Sequence, residues 1–398
     1  SSATTFSVIV TAYNIQEYIY QAINSVLKQS FPAFEIIVID DGSDDSTYNV
    51  AVETLDGVTY SKVIKQDNKG PGGARNTGLS IAKGDYIVML NNDTEVTSFW
   101  LDELVSKFTE DETVGMTGSK LLNLDGTLQE AGGIVWENGE PWNVGRDQDP
   151  LSPEYNYVRD VDYLTGAALC IRKDIWNVVG QFSEEFIPCY YEDTDLAFKV
   201  RSAGFRTLYV PHSEVIHFEG QSHGTDVTKG LKQHQVINED LFRQKWVKEY
   251  RKNGKASLAN MLVEKDRNIE QRILVLDYAT PVPSQDAGSY AAIEEIKLIQ
   301  GLNFDTYRLA EAKELEILEP VLRDADIVSI DIGSVRQSDA PANKNVSPNG
   351  FYGDEICGIA RYAGISDKVS SFGIYEYNSA FDTHNLTAHL IAQMIWCF

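Results

Sequence analysis

Short apolar runs alternate with helical patterns along the first part of the chain. The stretches "FSVIVTAYN" (6–14) and "FEIIVIDDGSDDST" (34–47) each begin as an apolar run and end in polar turn residues, which is typical of buried strands. Between them, "IYQAINSVLKQS" (19–30) carries apolar residues at helical spacing. A further apolar run reaches Leu90. This alternation of strands and helices predicts an α/β fold built from βαβ units.

Two of the predicted strands end in clusters of carboxylates and amides. "IDDGSDD" (39–45) closes one strand, and "NNDTE" (91–95) follows another. A right-handed arrangement of parallel strands brings such ends to one edge of the sheet, where open α/β sheets bind ligands. Asp, Asn and Ser after strands are also ordinary turn formers and helix caps, so either loop alone fits both interpretations. The two loops together favour a polar ligand site.

The residue types at this edge suit the recognition of a nucleotide and its diphosphate. Asp41 is able to accept the ring N–H of a pyrimidine, and Asp93 is able to hold a hard divalent cation, Mg²⁺ or Mn²⁺, that bridges diphosphate oxygens. The segment "NKGPGGARNTG" (68–78) matches neither the P-loop nor the GxGxxG spacing. It predicts a tight loop followed by a helix, with Arg75 placed where an anion could use it.

An acidic cluster opens a predicted amphipathic helix further along the chain. It consists of Glu192, Asp193 and Asp195. Carboxylates in a first helical turn interact favourably with the helix dipole without any catalytic role, but three of them exceed what capping requires. His217 follows among apolar neighbours in "SEVIHFEG", where a half-buried structural histidine and a metal ligand are both compatible with the pattern.

Composition limits the partners that the chain can have. The net charge of -25 and the absence of a Lys/Arg cluster indicate that nucleic acid is not a partner. Four cysteines without CxxC spacing predict free thiols in a reducing compartment. No run approaches the roughly 18 to 20 apolar residues that span a bilayer, and no basic segment precedes the first apolar stretch. We therefore expect a cytoplasmic protein.

Six ordered motifs between about residues 5 and 250 resemble family 2 of the inverting nucleotide-sugar glycosyltransferases. They are "TAYN", "VIDDGSDDST", "GGARNTGLSIAKGDYIVMLNND", "LTGAALCIRKDIW", "FIPCYYEDTDLAFKVRSAGF" and "VIHFEG". The resemblance implies the GT-A fold, a Rossmann-like mixed sheet flanked by helices. It also implies a nucleotide-sugar donor, UDP- or dTDP-linked, a glycan or lipid-linked saccharide acceptor, and peripheral association with the inner face of the membrane.

Residues 123–150 predict either a mobile acceptor loop with stacking side chains or a plain surface excursion.

The resemblance further implies which residues contact the donor. Thr11, Tyr13 and Asp41 would contact the nucleotide, and Arg75 would lie near the nucleotide or the diphosphate. Asn92 would contact the donor from the "NND" stretch at the end of its strand. We expect these residues to line one nucleotide-sugar site.

A metal site and a catalytic base are implied in the same way. Asp93 is the last residue of "NND", the counterpart of the metal-binding DxD motif, and His217 would be the additional metal ligand. Because "NND" offers the cation a single carboxylate, a binding module without turnover stays open as an alternative. Asp193 would be the base that removes the acceptor proton, with Glu192 as the second candidate. Single displacement would invert the anomeric configuration.

The chain changes character after about residue 250. Residues 251–271 predict a helical linker, and residues 272–300 resemble the opening strand, loop and helix of a GT-B glycosyltransferase. Residues 301–398 resemble the C-terminal part of an arginase-like or formimidoylglutamase-like ureohydrolase. We therefore expect a GT-A domain over residues 1–250 that is followed by α/β fragments.

The ureohydrolase-like segment does not carry that family's metal ligands. The binuclear site needs a DxDxxD loop, and the matching positions are Asp331, Gly333 and Arg336. Because two of the three ligands are replaced, an amidino hydrolase is the least favoured function. A fragment without partner strands would also expose sheet edges, so we expect it to be poorly ordered or to pack on a neighbour.

Overall fold

The structure is a computed structural model whose described residues form two compact units, Ser1–Asp266 and Arg267–Phe398. The described residues are 5–30, 35–218, 233–269, 271–277, 293, 304–310, 325–342, 350–366, 368–375 and 377–398. Among them, no helix is both long enough and apolar enough to cross a bilayer.

A ten-stranded mixed sheet forms the centre of the first unit. Its strands are β1 (Phe6–Ala12), β2 (Glu35–Asp40), β3 (Ser61–Lys65), β4 (Tyr86–Asn91), β5 (Thr94–Val96), β6 (Val114–Leu122), β7 (Leu128–Glu130), β10 (Arg159–Asp160), β11 (Ala168–Arg172) and β12 (Arg206–His217). Along the main path the order is β10, β12, β6, β11, β4, β1, β2, β3, while β5 pairs with β12 and β7 with β6. Strands β4, β1, β2 and β3 run parallel to one another. Strand β11 lies between β4 and β6 and runs antiparallel to both.

Helices cover both faces of this sheet. They are α1 (Ile19–Leu27), α2 (Thr47–Thr54), α3 (Gly70–Ile81), α4 (Trp100–Glu110), α5 (Lys173–Val179), α6 (Glu192–Ser202), α7 (Gln233–Tyr250) and α8 (Met261–Glu264). Alternate residues of one strand enter separate cores: Ile9 packs in the cluster that contains Leu79 of α3, whereas Val8 packs in the cluster that contains Ile23 of α1. The predicted α/β fold with strands buried on both faces is therefore confirmed.

The glycine-rich segment 68–78 forms the predicted loop followed by a helix, and the helix takes up most of it. Helix α3 begins at Gly70. A Cβ on Gly78 would lie 2.6 Å from Cγ2 of Ile9, and a Cβ on Gly70 would lie 2.7 Å from Cβ of Pro188. The glycines thus allow α3 to pack closely on β1, and this packing overrides their low helix propensity.

Residues 123–150 differ from the predicted loop or surface excursion. The segment contains β7 and a separate hairpin of β8 (Gly133–Val135) and β9 (Pro141–Asn143). Ile134 and Trp136 are almost completely buried in the larger core cluster. Much of the apolar surface of this segment, including Ile134 and Trp136, is therefore part of the core.

The chain after α7 packs on the first unit. The amide of Asn253 donates to the backbone oxygen of Val135 at 2.6 Å. The Tyr157 hydroxyl donates to Oδ2 of Asp266 at 2.6 Å. The first unit accordingly extends to Asp266, whereas the sequence suggested a boundary near residue 250.

The second unit contains a four-stranded parallel sheet in the order β14, β13, β15, β16. Its elements are β13 (Gln271–Asp277), β14 (Phe304–Ala310), β15 (Ile327–Asp331), α9 (Gly353–Ile365), β16 (Ser371–Tyr375) and α10 (Leu386–Cys397). The strand predicted after residue 271 is confirmed as β13; the loop and helix predicted after it lie outside the described residues, apart from residue 293. The expectation that the C-terminal segment lacks partner strands is wrong, because β13 pairs with both β14 and β15.

Replacement of Gly78 by alanine should destabilise the first unit by about 1–3 kcal/mol, because the added methyl group would overlap Ile9 of the neighbouring strand. Ser80→Ala, at an exposed position of the same helix, is the matched control and should change stability by less than about 0.5 kcal/mol. Urea unfolding followed by tryptophan fluorescence measures both effects. Equal stabilities of the two variants would contradict the close packing of α3 on β1.

Candidate active site

The carboxyl ends of β2, β1 and β4 lie side by side and carry the residues predicted to contact the donor. Thr11 of β1 is in register with Ile39 of β2 and with Asn91 of β4. Asp41 follows β2 at the same sheet edge at which Asp93 follows β4. The predicted meeting of the two polar loops at one edge is therefore confirmed.

Asp41 is a buried carboxylate with a fixed orientation. Its Oδ1 accepts a hydrogen bond from Nε2 of Gln66 at 2.7 Å and another from the backbone N–H of Lys69 at 2.9 Å. These bonds connect the end of β2 to the segment that precedes α3. A carboxylate held in this way is suited to accept a ring N–H from a base.

Thr11, Tyr13 and Asn92 lie at the end of β1 and just after β4. Thr11 is buried, and its backbone oxygen accepts a hydrogen bond from Nδ2 of Asn92 at 2.8 Å. Tyr13 is 46% exposed, so its ring is accessible to a ligand at this edge. The structure thus brings these three residues together, and their contact with a nucleotide stays a prediction.

Asp93 and His217 meet at the end of β12. Nε2 of His217 lies 3.3 Å from Oδ1 of Asp93, and the two side chains are only 12% and 6% exposed. β12 pairs with β5 here, with His217 opposite Thr94. In the part of the chain that the structure describes, no group of three or more His, Cys, Asp or Glu side chains could hold a metal ion. A cation at this pair would therefore take its other ligands from the donor or from water.

Gln129 is a site residue that sequence analysis missed. Its Oε1 lies 2.7 Å from Nδ1 of His217. The two residues are 88 positions apart in the chain, and a glutamine in a segment interpreted as a loop carries no local signal of such a contact. Only the pairing of β7 with β6 in the folded sheet places Gln129 there.

Arg75 connects the strand-end edge to the start of α6. Its Nη1 donates to Oε1 of Glu192 at 2.8 Å. Its Nη2 donates to Oδ1 of Asn91 at 3.0 Å and to the backbone oxygen of Gly166 at 3.2 Å. Both charged side chains are more than 90% buried. Arg75 therefore acts as an internal tether, and its predicted contact with a nucleotide stays a prediction.

The environment of Glu192 disfavours its ionised form. Burial and the neighbouring charge of Asp193 raise the pKa of Glu192 to about 7, against the opposing effect of Arg75. Oε2 of Glu192 is buried and has no hydrogen-bond partner among the described residues. Glu192 is thus engaged inside the protein and is poorly placed to reach an acceptor.

Asp193 is half-buried and held at both carboxylate oxygens. Oδ2 accepts a hydrogen bond from the backbone N–H of Gly166 at 2.8 Å, and Oδ1 accepts one from the backbone N–H of Thr194 at 2.7 Å. Tyr190 and Tyr191, just before the helix, adopt left-handed conformations with φ of 74° and 69°. Such strain in residues other than glycine is concentrated at functional sites, and here it sets the direction in which α6 begins.

Asp195, the third carboxylate of the cluster, has a structural role. It is completely buried, and it accepts hydrogen bonds from the Ser183 hydroxyl at 2.6 Å and from the Trp246 indole N–H at 2.8 Å. Nζ of Lys245 lies 2.7 Å from its Oδ1. These contacts join α6 to α7, which explains why the first turn of α6 carries more carboxylates than capping requires.

Comparison with known proteins agrees with the fold of the first unit. Residues 7–149 match the family model described as "Glycosyl transferase family 2". Residues 7–149 are therefore similar to the glycosyltransferase family 2 domain. The "O-antigen biosynthesis protein RfbC" of Myxococcus xanthus is 29% identical over 232 residues, which are 55% of this chain and 18% of that protein. The "Chondroitin synthase" of Escherichia coli is 26% identical over 245 residues, which are 60% of this chain and 32% of that protein. The chain thus spans a third or less of the length of these two relatives.

A shorter relative and a solved structure add to the comparison. The "N-acetylglucosaminyl-diphospho-decaprenol L-rhamnosyltransferase" of Mycobacterium tuberculosis is 23% identical over 255 residues, which are 57% of this chain and 80% of that protein. The crystal structure of GalNAc-T7 with UDP, GalNAc and Mn²⁺ is 20% identical and superposes with a TM-score of 0.51 over 63% of this chain and 49% of that one. This structural likeness concerns the fold, and it confirms the predicted GT-A architecture.

Glu192 should make the stability of the first unit depend on pH. Its pKa of about 7 in the folded state exceeds the value of about 4.3 for an unfolded chain, so the folded state binds the proton more tightly. This contribution is fully present below about pH 4 and is lost as the pH rises through 7. The melting temperature of the wild type relative to Glu192→Gln should therefore fall between pH 5 and pH 8.

The exposed Glu184 provides the control for this measurement. The difference in melting temperature between the wild type and Glu184→Gln should stay nearly constant across the same pH range. If the difference between the wild type and Glu192→Gln were also constant, or rose with pH, the inferred environment of Glu192 would be contradicted.

Proposed function

We propose that the first unit is a metal-dependent inverting glycosyltransferase that moves a sugar from a nucleotide sugar to a hydroxyl group of a cell-surface glycan or related acceptor. The observation that carries this proposal is the position of Arg75. It bonds to Asn91, two residues before Asp93, and to Glu192, one residue before Asp193. The residues proposed to hold the donor diphosphate and the proposed base are thus tied to one buried guanidinium.

The strand-end edge would bind the nucleotide. Asp41 offers an oriented carboxylate to the pyrimidine ring of the nucleotide, and Tyr13 offers an exposed ring at the end of the neighbouring strand. A UDP- or dTDP-linked sugar suits this arrangement, because the N–H of the pyrimidine ring is able to donate a hydrogen bond to a carboxylate. The solved structure of GalNAc-T7 contains UDP and Mn²⁺, which supports a nucleotide-sugar donor here.

Asp93 and His217 would hold Mg²⁺ or Mn²⁺. Oxygen and nitrogen ligands bind such ions at about 2.1 Å, so two ligand atoms 3.3 Å apart are able to share one ion. When bound, the cation would neutralise the charge that develops on the leaving diphosphate. The residues present therefore fit the cation that the fold family implies.

Asp193 would act as the general base. The acceptor hydroxyl loses its proton to the Asp193 carboxylate while its oxygen attacks the anomeric carbon from the side opposite the nucleotide, so the configuration inverts. The hydrogen bonds from Gly166 and Thr194 keep this carboxylate oriented. Glu192 is the weaker candidate, because it is buried and paired with Arg75.

The acceptor and its location follow from the same proposal. The name of the mycobacterial relative describes transfer of rhamnose to a decaprenyl-linked saccharide, which supports a lipid-linked saccharide as the acceptor. Such an acceptor would place the protein in the cytoplasm at the inner face of the membrane. The cell-envelope glycan is therefore the proposed product class.

A binding module without turnover is the second candidate. It is favoured by the small number of ligands at the proposed cation site, one carboxylate and one imidazole. Binding of a nucleotide sugar without release of the nucleotide would select it. We propose no amidino hydrolase in the second unit, where Oδ1 of Asp331 accepts a hydrogen bond from the backbone of Gly333; the resemblances of residues 272–300 and 301–398 stay predictions.

Asp193→Asn should lower the rate of nucleotide release by a factor of about 10² to 10⁴ and leave donor affinity nearly unchanged, because the base acts only as the transition state forms. Turnover would be measured with a panel of UDP- and dTDP-sugars and saccharide acceptors, and donor affinity by calorimetry. Asp174→Asn, an exposed first-turn carboxylate of α5, is the matched control and should retain wild-type turnover.

Two results of this experiment would count against the assignment. Near-normal turnover by Asp193→Asn together with loss of turnover by Glu192→Gln would transfer the role of base to Glu192. Full activity of both variants would contradict single displacement with a base at the start of α6.

A further inference from the structure

Gln129 lies behind the pair formed by His217 and Asp93. It is 2% exposed, and its Oε1 is 2.7 Å from Nδ1 of His217. We propose that Gln129 is a positioning residue that holds His217 in the tautomer with the proton on Nδ1 and thereby keeps Nε2 available to a divalent cation. This inference rests on the cation site of the proposed function.

A β-bulge turns Gln129 toward the histidine. In the antiparallel pairing of β6 with β7, Leu121 is opposite Glu130, and the next residue, Leu122, is opposite Leu128. Gln129 is therefore the extra residue of β7 at this shift in register. Bulges of this kind redirect a side chain and occur often beside functional sites.

The amide group of Gln129 has one orientation that satisfies its neighbours. Its Nε2 donates to Oδ1 of Asn123 at 3.0 Å and to the backbone oxygen of His217 at 3.3 Å. Asn123 uses its own Nδ2 to donate to the Thr127 hydroxyl at 2.9 Å, which leaves its Oδ1 as an acceptor. Both neighbours thus need the N–H side of the Gln129 amide, and Oε1 has to face His217.

This orientation determines which ring nitrogen of His217 carries the proton. An amide oxygen accepts but does not donate, so the bond to Oε1 of Gln129 requires a proton on Nδ1. Nε2 then points a lone pair at Oδ1 of Asp93, 3.3 Å away. Two electron-rich atoms at this distance are stabilised by a cation that contacts both.

Without Gln129, we expect His217 to form a direct hydrogen bond with Asp93. A proton on Nε2 would donate to the Asp93 carboxylate, and a cation would then have to displace that hydrogen bond. Partners of this kind behind a metal-bound histidine typically change metal affinity by a factor of about 10 to 100 when they are removed. Gln129 would therefore act through His217 and not by contact with the substrate.

The test combines the tautomer of His217 with Mn²⁺ affinity in the full chain. Nitrogen-15 chemical shifts of the metal-free protein, recorded at an alkaline pH at which the imidazole is neutral, report the tautomer, and the His217→Ala spectrum assigns the signal. Mn²⁺ binding is measured by electron paramagnetic resonance. Gln129→Leu removes the amide, Gln129→Glu keeps an acceptor oxygen, and Gln29→Leu is the control for loss of a half-buried amide elsewhere, where Gln29 donates to the Thr97 backbone oxygen at 2.8 Å.

We expect the Nδ1-protonated tautomer in the wild type and in Gln129→Glu, and the Nε2-protonated tautomer in Gln129→Leu. The Mn²⁺ dissociation constant of Gln129→Leu should rise by about 10- to 100-fold, while Gln29→Leu should bind as the wild type does. Both results together would support the role of Gln129 as a positioning residue.

Several results would overturn the inference. An Nε2-protonated His217 in the metal-free wild type would do so even if Gln129→Leu did not fold. An unchanged tautomer in Gln129→Leu with Mn²⁺ affinity within about twofold of the wild type, or an equal loss of affinity in Gln29→Leu, would do so as well. A wild type that binds no Mn²⁺ would instead contradict the proposed cation site, and the tautomer would still decide the role of Gln129.

Discussion

The buried hydrogen bond from Arg75 to Glu192 is the contact on which the arrangement of the site depends. It joins α3 to α6, and the second nitrogen of Arg75 extends the connection to Asn91 at the end of β4. Loss of one partner from a buried pair leaves an uncompensated charge and typically costs about 3–5 kcal/mol. The pair therefore fixes the start of α6 next to the strand-end edge. The close packing of α3 on β1 at Gly78 in turn fixes the position of the helix that carries Arg75.

The neighbouring carboxylates of α6 divide their roles because their surroundings differ. Glu192 is buried against Arg75, Asp195 is buried against Trp246 of α7, and Asp193 between them stays half-buried. The left-handed backbone before the helix is held by hydrogen bonds from Nδ2 of Asn238 to the oxygen of Tyr190 and from the N–H of Asp195 to the oxygen of Tyr191. The first turn of α6 thus supplies two carboxylates with structural contacts, Glu192 and Asp195, and one accessible carboxylate, Asp193.

The sequence predicts the features that depend on local pattern. Buried parallel strands are continuous apolar runs, so β1, β2 and β4 and the polar residues after them were predictable. The start of helix α3 as early as Gly70 was not, because it depends on the close approach of Ile9 and Pro188 from elsewhere in the chain. The contact between Gln129 and His217 spans 88 positions and depends on a shift in strand register, which leaves no trace in local composition.

Nucleotide binding tests most directly the claim that the edge with Asp93 and His217 holds a nucleoside diphosphate through a cation. Calorimetric titration of UDP, dTDP and GDP into the full chain, with Mn²⁺ or with a chelator, gives the dissociation constants. We expect at least one nucleotide to bind with Mn²⁺ and to lose affinity by about tenfold or more on chelation and in Asp93→Asn. Binding that is insensitive to both changes, or no binding of any of the three nucleotides, would contradict it.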